Sequence, residues 1–101
     1  MKLKFNKAEM FDTMCIEKAC TEGLSPFKMS KWSLLKGSKS PIDLHNVKEY
    51  WLVVQGKGML NYKNESMIEI EKGDFIFMES NHSHQVESIG DIELIVYSIW
   101  W

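Results

Sequence analysis

From residue 27 onward, apolar and β-branched residues occur in short runs that are separated by turn-forming residues. These runs predict β-strands at residues 27–36, 47–55, 57–62, 66–70, 75–78, 82–88 and 92–101. Strands at intervals of about 8–12 residues are typical of an all-β sandwich or barrel. Residues 63–65 are expected to form the loop of a hairpin. No helical pattern of ten or more residues follows residue 26, so we expect an all-β fold.

The N-terminal arm, residues 1–26, lacks this pattern. Two stretches within it, 7–12 and 16–20, fit either a short helical turn or an edge strand, and the periodicity does not decide between them. Gly23 and Pro26 mark the end of the arm, because both residue types interrupt regular structure. We expect the arm to precede a single β domain, residues 27–101. The arm is also a candidate dimer contact.

The composition indicates one small folded domain. The chain has 101 residues, of which 45% are hydrophobic and 26% charged, with a formal net charge of −2. This balance provides no basic surface for a nucleic-acid backbone, and no apolar run approaches the roughly 20 residues that span a membrane. The basic N-terminus is followed by no apolar segment typical of a secretion signal. We expect a soluble cytoplasmic protein that binds neither nucleic acid nor membrane.

The cations and the cysteines narrow the chemistry further. All 12 cationic residues are lysines, so the chain lacks arginine, the side chain that best grips carboxylates and phosphates in a bidentate manner. Tight recognition of a phosphorylated ligand is therefore less expected. Cys15 and Cys20 are too close in sequence for a disulfide between them to stabilise much, and we expect two reduced thiols.

Candidate chemistry concentrates in the three histidines of the chain and two nearby acidic residues. Asp43, His45 and Glu49 share the parity that places side chains on one face of a strand. In a continuous strand, Asp43 and Glu49 would lie roughly 20 Å apart, so one metal ion contacts both only if the chain turns between them. Histidine, aspartate and glutamate are ligands of divalent transition metals. A fourth ligand would have to come from the distant His82 or His84, which a closed β fold would deliver.

A longer spacing pattern surrounds these residues. The first motif of the cupin family, G-x5-H-x-H-x3-E-x6-G, fits the spacing of Gly37, Asp43, His45, Glu49 and Gly56. Aspartate occupies the first histidine slot of this motif. The second cupin motif, G-x5-P-x-G-x2-H-x3-N, is matched at Gly73 and His84. Its remaining slots hold Glu79, Asn81 and Ser88. The chain therefore resembles cupins over residues 27–101.

The resemblance implies a small jelly-roll barrel of two antiparallel sheets, commonly dimeric, that holds one metal ion at the barrel mouth. The ligands carried over from the family are Asp43, His45, Glu49 and His84. With Asp43 as a ligand, the ion would have two imidazoles and two carboxylates. Without it, the other three residues form a triad with open positions that suits Fe(II) and oxygen chemistry. The expected cofactor is one divalent transition metal ion, with Fe, Mn, Zn, Ni and Cu all remaining candidates.

Further residues are candidates for the ligand pocket. Strand parity places Trp51 and Gln55 on the same face as Glu49, and Tyr62 is another candidate pocket-lining residue. His82 is a candidate catalytic proton donor or acceptor at the pocket mouth, or else lies on an exposed loop. Glu49 is a candidate catalytic residue too, because a carboxylate released from the metal can act as a base.

The resemblance leads us to expect a metal-dependent enzyme, of the oxygenase or the isomerase and lyase type, that acts on a small organic molecule inside the barrel. The alternative is a non-enzymatic module that binds or senses a small molecule. Trp100 and Trp101 have opposite parity, so one indole is expected to lie at the subunit contact of a homodimer.

Overall fold

The computed structural model describes residues 2–21, 26–63 and 65–101, and these form nine β-strands and no helix. The strands are β1 (Phe5–Phe11), β2 (Met14–Ala19), β3 (Lys28–Leu34), β4 (Glu49–Gln55), β5 (Lys57–Tyr62), β6 (Ser66–Glu71), β7 (Phe75–Met78), β8 (His84–Ser88) and β9 (Leu94–Trp100). The described residues thus contain no helix long and apolar enough to cross a membrane. The prediction of an all-β fold is confirmed.

The strands form two antiparallel sheets. The large sheet has the order β1-β2-β3-β9-β4-β7, and the small sheet has the order β6-β5-β8. Residues 37–43 extend the small sheet along β8, because the Ser40 amide donates to the Val86 carbonyl at 2.8 Å. At the end of this segment, Asp43 forms an antiparallel bridge with His84. The expected arrangement of two antiparallel sheets is confirmed.

The predicted strands of the β domain agree with the observed ones to within two residues at each end. The predicted hairpin is also present, because Tyr62 at the end of β5 pairs with Ser66 at the start of β6. Asn64, which belongs to the predicted hairpin loop, lies outside the described residues. Short strands between turn residues were therefore readable from the pattern alone.

The described part of the N-terminal arm forms strands rather than helical turns. Strands β1 and β2 pair with each other, and β2 continues the large sheet by pairing with β3, with Lys18 opposite Ser30. Gly23, which was expected to mark the end of the arm, lies outside the described residues. Periodicity left open whether these stretches form strands or helical turns. Hydrogen bonding to a neighbouring strand decides for strands, and the periodicity of one segment contains no information about such pairing.

The core between the sheets is built from alternate residues of the strands. Side chains two residues apart face the same side of a strand, so Trp32 and Leu34 of β3 point inward together. The other buried apolar residues are Trp51, Val53, Leu60, Ile70, Met78, Val86, Leu94 and Val96. The rings of Trp32 and Trp51 meet edge-on with centroids 4.9 Å apart, and the Trp32 indole N–H donates to Ser98 Oγ at 2.9 Å.

Gly56 joins β4 to β5 in a conformation and a space that require glycine. Its φ is +83°, and a Cβ atom at this position would lie 2.7 Å from the backbone oxygen of Glu93. Gly73 also has a positive φ, of +95°, but a Cβ atom there would meet no atom within 4 Å. Positive φ explains glycine at both positions, whereas close backbone approach constrains only Gly56.

The two glycines therefore make a matched pair for a stability test. We expect Gly73→Ala to lower the free energy of unfolding by about 1 kcal/mol, the cost of placing a side chain in the left-handed region. Gly56→Ala should lower it by about 3 kcal/mol, because the backbone that the new Cβ meets must also shift. Urea unfolding of the two variants measures the difference, and equal losses would show that Glu93 imposes no constraint.

Candidate metal centre

The four predicted ligands come together where the two sheets face each other. Asp43 and His84 are direct backbone partners, since each amide donates to the carbonyl of the other at 2.9 and 3.0 Å. The chain then bends at residues 46–47, and Glu49 is the first residue of β4 in the opposite sheet. The turn that the spacing requires is present, and it returns Glu49 to the side chains of His45 and His84.

The nitrogen and oxygen atoms of these side chains converge. His45 Nε2 lies 3.0 Å from Glu49 Oε1 and 3.9 Å from Asp43 Oδ2. His84 Nε2 lies 3.8 and 3.7 Å from the same two oxygens. One donor atom each of Asp43, His45 and His84 fall within 4.8 Å of one another. We call these three residues and Glu49 the His–carboxylate cluster.

The cluster runs from the rim of the cavity to its interior. The Asp43 side chain is 61% exposed, whereas those of Glu49 and His84 are only 12% and 4% exposed. Buried carboxylates and imidazoles are costly unless they are paired or bind an ion. In the described part of the chain, the nitrogen atoms of basic side chains within 4 Å of the Asp43 and Glu49 carboxylates belong to histidines and none to a lysine.

Both imidazoles of the cluster are oriented by backbone carbonyls. His45 Nδ1 lies 3.2 Å from the Val47 carbonyl oxygen, and His84 Nδ1 lies 3.3 Å from that of His82. A carbonyl oxygen only accepts hydrogen bonds, so each Nδ1 donates to its carbonyl when that nitrogen carries the proton, as it would with a metal ion bound at Nε2. Each Nε2 is then left as the ring nitrogen that faces the carboxylates. This second hydrogen bond is the one that orients histidine ligands of metals in proteins.

The loop of residues 79–83 holds the two histidines in place. The Asn81 amide donates to the His45 carbonyl at 2.7 Å, and Asn81 adopts a positive φ of 64° to do so. Tyr62 Oη accepts a hydrogen bond from the Glu79 amide at 3.0 Å, and His82 Nδ1 lies 2.8 Å from Glu79 Oε2. The loop therefore connects the backbone of one cluster histidine to the carbonyl that orients the other.

A cavity of about 550 Å³ adjoins the cluster and has a mostly apolar lining. Besides the four cluster residues, its lining comprises Met14, Ile16, Lys18, Ser30, Trp32, Ser40, Pro41, Ile42, Val47, Trp51, Ser98 and Trp100. Trp51 packs edge-on against His84 with ring centroids 5.5 Å apart. A mostly apolar cavity with a few convergent polar groups is the usual form of a small-molecule site.

Three residues that the sequence placed at the pocket lie outside this lining. Gln55 uses its side-chain amide to donate to the Glu93 carbonyl at 3.2 Å. The Tyr62 hydroxyl and the His82 imidazole interact with Glu79 instead of facing the cavity. Of the predicted pocket-lining residues, Trp51 alone is part of the lining.

Other lining residues went unpredicted. Met14, Ile16 and Lys18 belong to β2 in the N-terminal arm, and no local signal shows which strand β2 pairs with. Trp100 lines the cavity, whereas Trp101 stacks on Tyr50 with ring centroids 5.6 Å apart. Strand parity predicted that the two indoles lie on opposite faces, but it did not predict which of them faces the cavity. The subunit contact expected for one of them stays a prediction.

The donor set fits a divalent transition metal ion. Two imidazole nitrogens and two carboxylate oxygens are suitable ligands for Fe, Mn, Zn, Ni or Cu. The two carboxylates would balance the charge of such an ion, which is the requirement for holding it in a partly buried site. Asp43, His45 and His84 are therefore a group of residues that could hold a metal ion, and Glu49 lies beside them.

Comparison with known proteins agrees with this fold. The family model of the cupin domain matches residues 30–100, and the chain belongs to the cupin domain family. Among solved structures, the chain is similar to a predicted oxalate decarboxylase from Thermotoga maritima, at 23% identity and a TM-score of 0.73, over 85% of this chain and 79% of that one.

Two further solved structures share the fold. The plu4264 protein from Photorhabdus luminescens is 23% identical with a TM-score of 0.84, over 100% of this chain and 85% of that one. The polyketide cyclase RemF from Streptomyces resistomycificus is 16% identical with a TM-score of 0.79, over 93% of this chain and 72% of that one. At these identities, the similarities establish the fold and no particular activity.

The hydrogen bond from His84 to the loop predicts the protonation state of its ring. In protein treated with a chelator, at a pH where His84 is neutral, we expect the proton on Nδ1, because the His82 carbonyl accepts it. Nitrogen-15 NMR of the imidazole rings distinguishes the two tautomers directly. A proton on Nε2 would contradict this assignment.

Proposed function

We infer that this protein binds one divalent transition metal ion through Asp43, His45, Glu49 and His84 and uses it as a metal-dependent enzyme on a small organic molecule in the cavity. The observation that carries this proposal is the convergence of two Nε2 atoms on Glu49 Oε1, at 3.0 and 3.8 Å. Both rings also have Nδ1 engaged by a carbonyl. The arrangement leaves the metal-binding nitrogen of each ring directed at the carboxylates.

Asp43 is proposed as the fourth ligand. Its backbone is held by the two hydrogen bonds with His84, so its carboxylate stays beside the cluster although the side chain is largely exposed. With this ligand the site has two imidazoles and two carboxylates, and a bound divalent ion gives a formal charge of zero. Compared with three histidines and one carboxylate, this set lowers the Lewis acidity of the ion.

The bound ion would supply either Lewis-acid polarisation of a substrate oxygen or activation of dioxygen. The residues of the chain perform the remaining tasks. Trp32 and Trp51 form an apolar wall that orients the body of a substrate and excludes water from it. Glu49 lies close enough to the cavity to accept a proton from a substrate if it leaves the metal.

We assign His82 a structural task and no proton transfer with substrate. Its carbonyl oxygen orients His84, and its imidazole is held by Glu79 outside the cavity lining. The residue thus supports the proposed site through its backbone.

A module that binds or senses a small molecule without transforming it is the second candidate. The observation in its favour is the largely apolar lining of the cavity, which is sufficient for binding without chemistry. Elemental analysis of untagged protein tests the metal site on which the enzyme proposal depends: about one transition metal ion per chain would support that site. Protein that stays free of metal after anaerobic reconstitution with several divalent ions would contradict it and favour the binding module.

Substitution of the histidines tests the ligand assignment. We expect His45→Ala and His84→Ala each to reduce the metal content from about one ion per chain to near zero, because each removes a nitrogen ligand. His82→Ala is the matched control and should retain the ion, since its side chain lies outside the cluster and its carbonyl is kept. Asp43→Ala should weaken the metal affinity by about tenfold to a hundredfold. Full metal content in both cluster variants, with circular dichroism unchanged, would overturn the assignment.

A further inference from the structure

Lys18 is an unexpected member of the cavity lining. Among the residues that the structure describes, it is the one lysine of the lining, and it faces the cavity from β2. A row of lining residues crosses the large sheet from this position: Lys18 pairs with Ser30, Ser30 with Ser98, and Ser98 with Trp51. Trp51 follows Glu49 by two residues on the same face of β4. The cavity therefore has the His–carboxylate cluster at one end of the row and a cation at the other.

We propose that the cavity takes an elongated organic anion, with its anionic group at the Lys18 ammonium, an apolar body along the tryptophan wall, and an oxygen-bearing end at the His–carboxylate cluster. The placement of the oxygen-bearing end and the neutralisation of the two cluster carboxylates rest on the proposed function, whereas the position of the anionic group rests on Lys18.

The charges of the lining select an anion. With a divalent ion bound, the two carboxylates of the cluster are formally neutralised, and Lys18 is then the remaining charged group among the described lining residues. Lys18 Nζ also pairs with Glu9 Oε1 at 3.1 Å. An ammonium group has three N–H donors, so this pair orients the cation at the rim and leaves donors for a ligand. Glu9 itself is outside the cavity lining.

The row of lining residues calls for an elongated ligand. Lys18 and Trp51 are separated by three strand spacings, or about 14 Å between backbones. The Lys18 ammonium lies beside Glu9 of β1, on the far side of β2 from this row, so a ligand that reaches it has to extend along the row. An aromatic ring with a carboxylate-bearing chain is a molecule of this elongated shape. The hydroxyl groups of Ser30 and Ser98, which line the row, provide polar contacts beside the anionic end.

A matched pair of probes tests the proposal. The anion is 3-(4-hydroxyphenyl)propanoate, which carries a phenolic oxygen and a carboxylate at opposite ends, and the neutral control is the corresponding amide. Binding is followed by tryptophan fluorescence, because Trp32, Trp51 and Trp100 line the cavity. The quantity compared is the ratio of the two affinities, measured for chelator-treated and for metal-loaded protein, in the wild type and in variants.

We expect Lys18→Met to lower the acid-to-amide affinity ratio by about fivefold, as for a half-exposed ion pair. The same ratio should fall in the wild type as salt is added. Glu9→Gln removes the partner of Lys18 while keeping the cation, so its ratio should stay at or above that of the wild type. A ratio that is unchanged in Lys18→Met, or a wild type that binds neither probe, would overturn the proposal.

The design separates this proposal from the proposed function. If the wild type takes no metal, the proposed function fails, while the Lys18 comparison is still read in chelator-treated protein. In the opposite case, the protein binds metal but Lys18→Met leaves the acid-to-amide affinity ratio unchanged. The metal site then stands, and the assignment of an anionic ligand to Lys18 fails. His84→Ala provides the complementary control, because it should abolish any gain in affinity on metal loading without changing the effect of Lys18.

Discussion

The functional architecture of this protein depends on one pair of backbone hydrogen bonds, those between Asp43 and His84. The two residues belong to different motifs and lie 41 positions apart in the sequence, yet each donates its amide to the other's carbonyl. Residues paired in this way place their side chains on the same face of a sheet, with Cα atoms about 5.5 Å apart. The Asp43 carboxylate and the His84 imidazole are thereby directed to the same place by strand pairing alone. Neither a helix nor a long loop is needed to position them.

The remaining parts of the cluster are positioned from this pair. The bend at 46–47 carries Glu49 across to the large sheet, where β4 holds it beside His84. The loop of residues 79–83 hydrogen-bonds to the backbone of His45 and to the ring of His84. The apolar core packs the two sheets against each other. Trp51 belongs to both the core and the cavity wall and packs edge-on against the ring of His84.

The strand pattern and the motif spacing predicted a large part of this arrangement. Short runs of apolar and β-branched residues between turn-forming residues identified every strand of the β domain. The spacing of Asp43, His45 and Glu49 required a turn, and the chain bends there. Gln55 shows where parity fails. The pairing of β4 with β9 shifts register between Val53 and Gln55, and the side chain turns to the Glu93 carbonyl instead of the cavity.

The sequence by itself determined the all-β class, the strand positions and the residue types that can hold a metal ion, since each of these depends on local pattern or on short spacing. Only the tertiary structure decided that β2 of the N-terminal arm joins the large sheet and brings Lys18 to the cavity. It also decided that Trp100 faces inward while Tyr62 and His82 brace a loop. The physical reason is that strand order and the closing of one sheet over another arise from hydrogen bonds and packing between distant segments, which leave no periodic signal in the segments themselves.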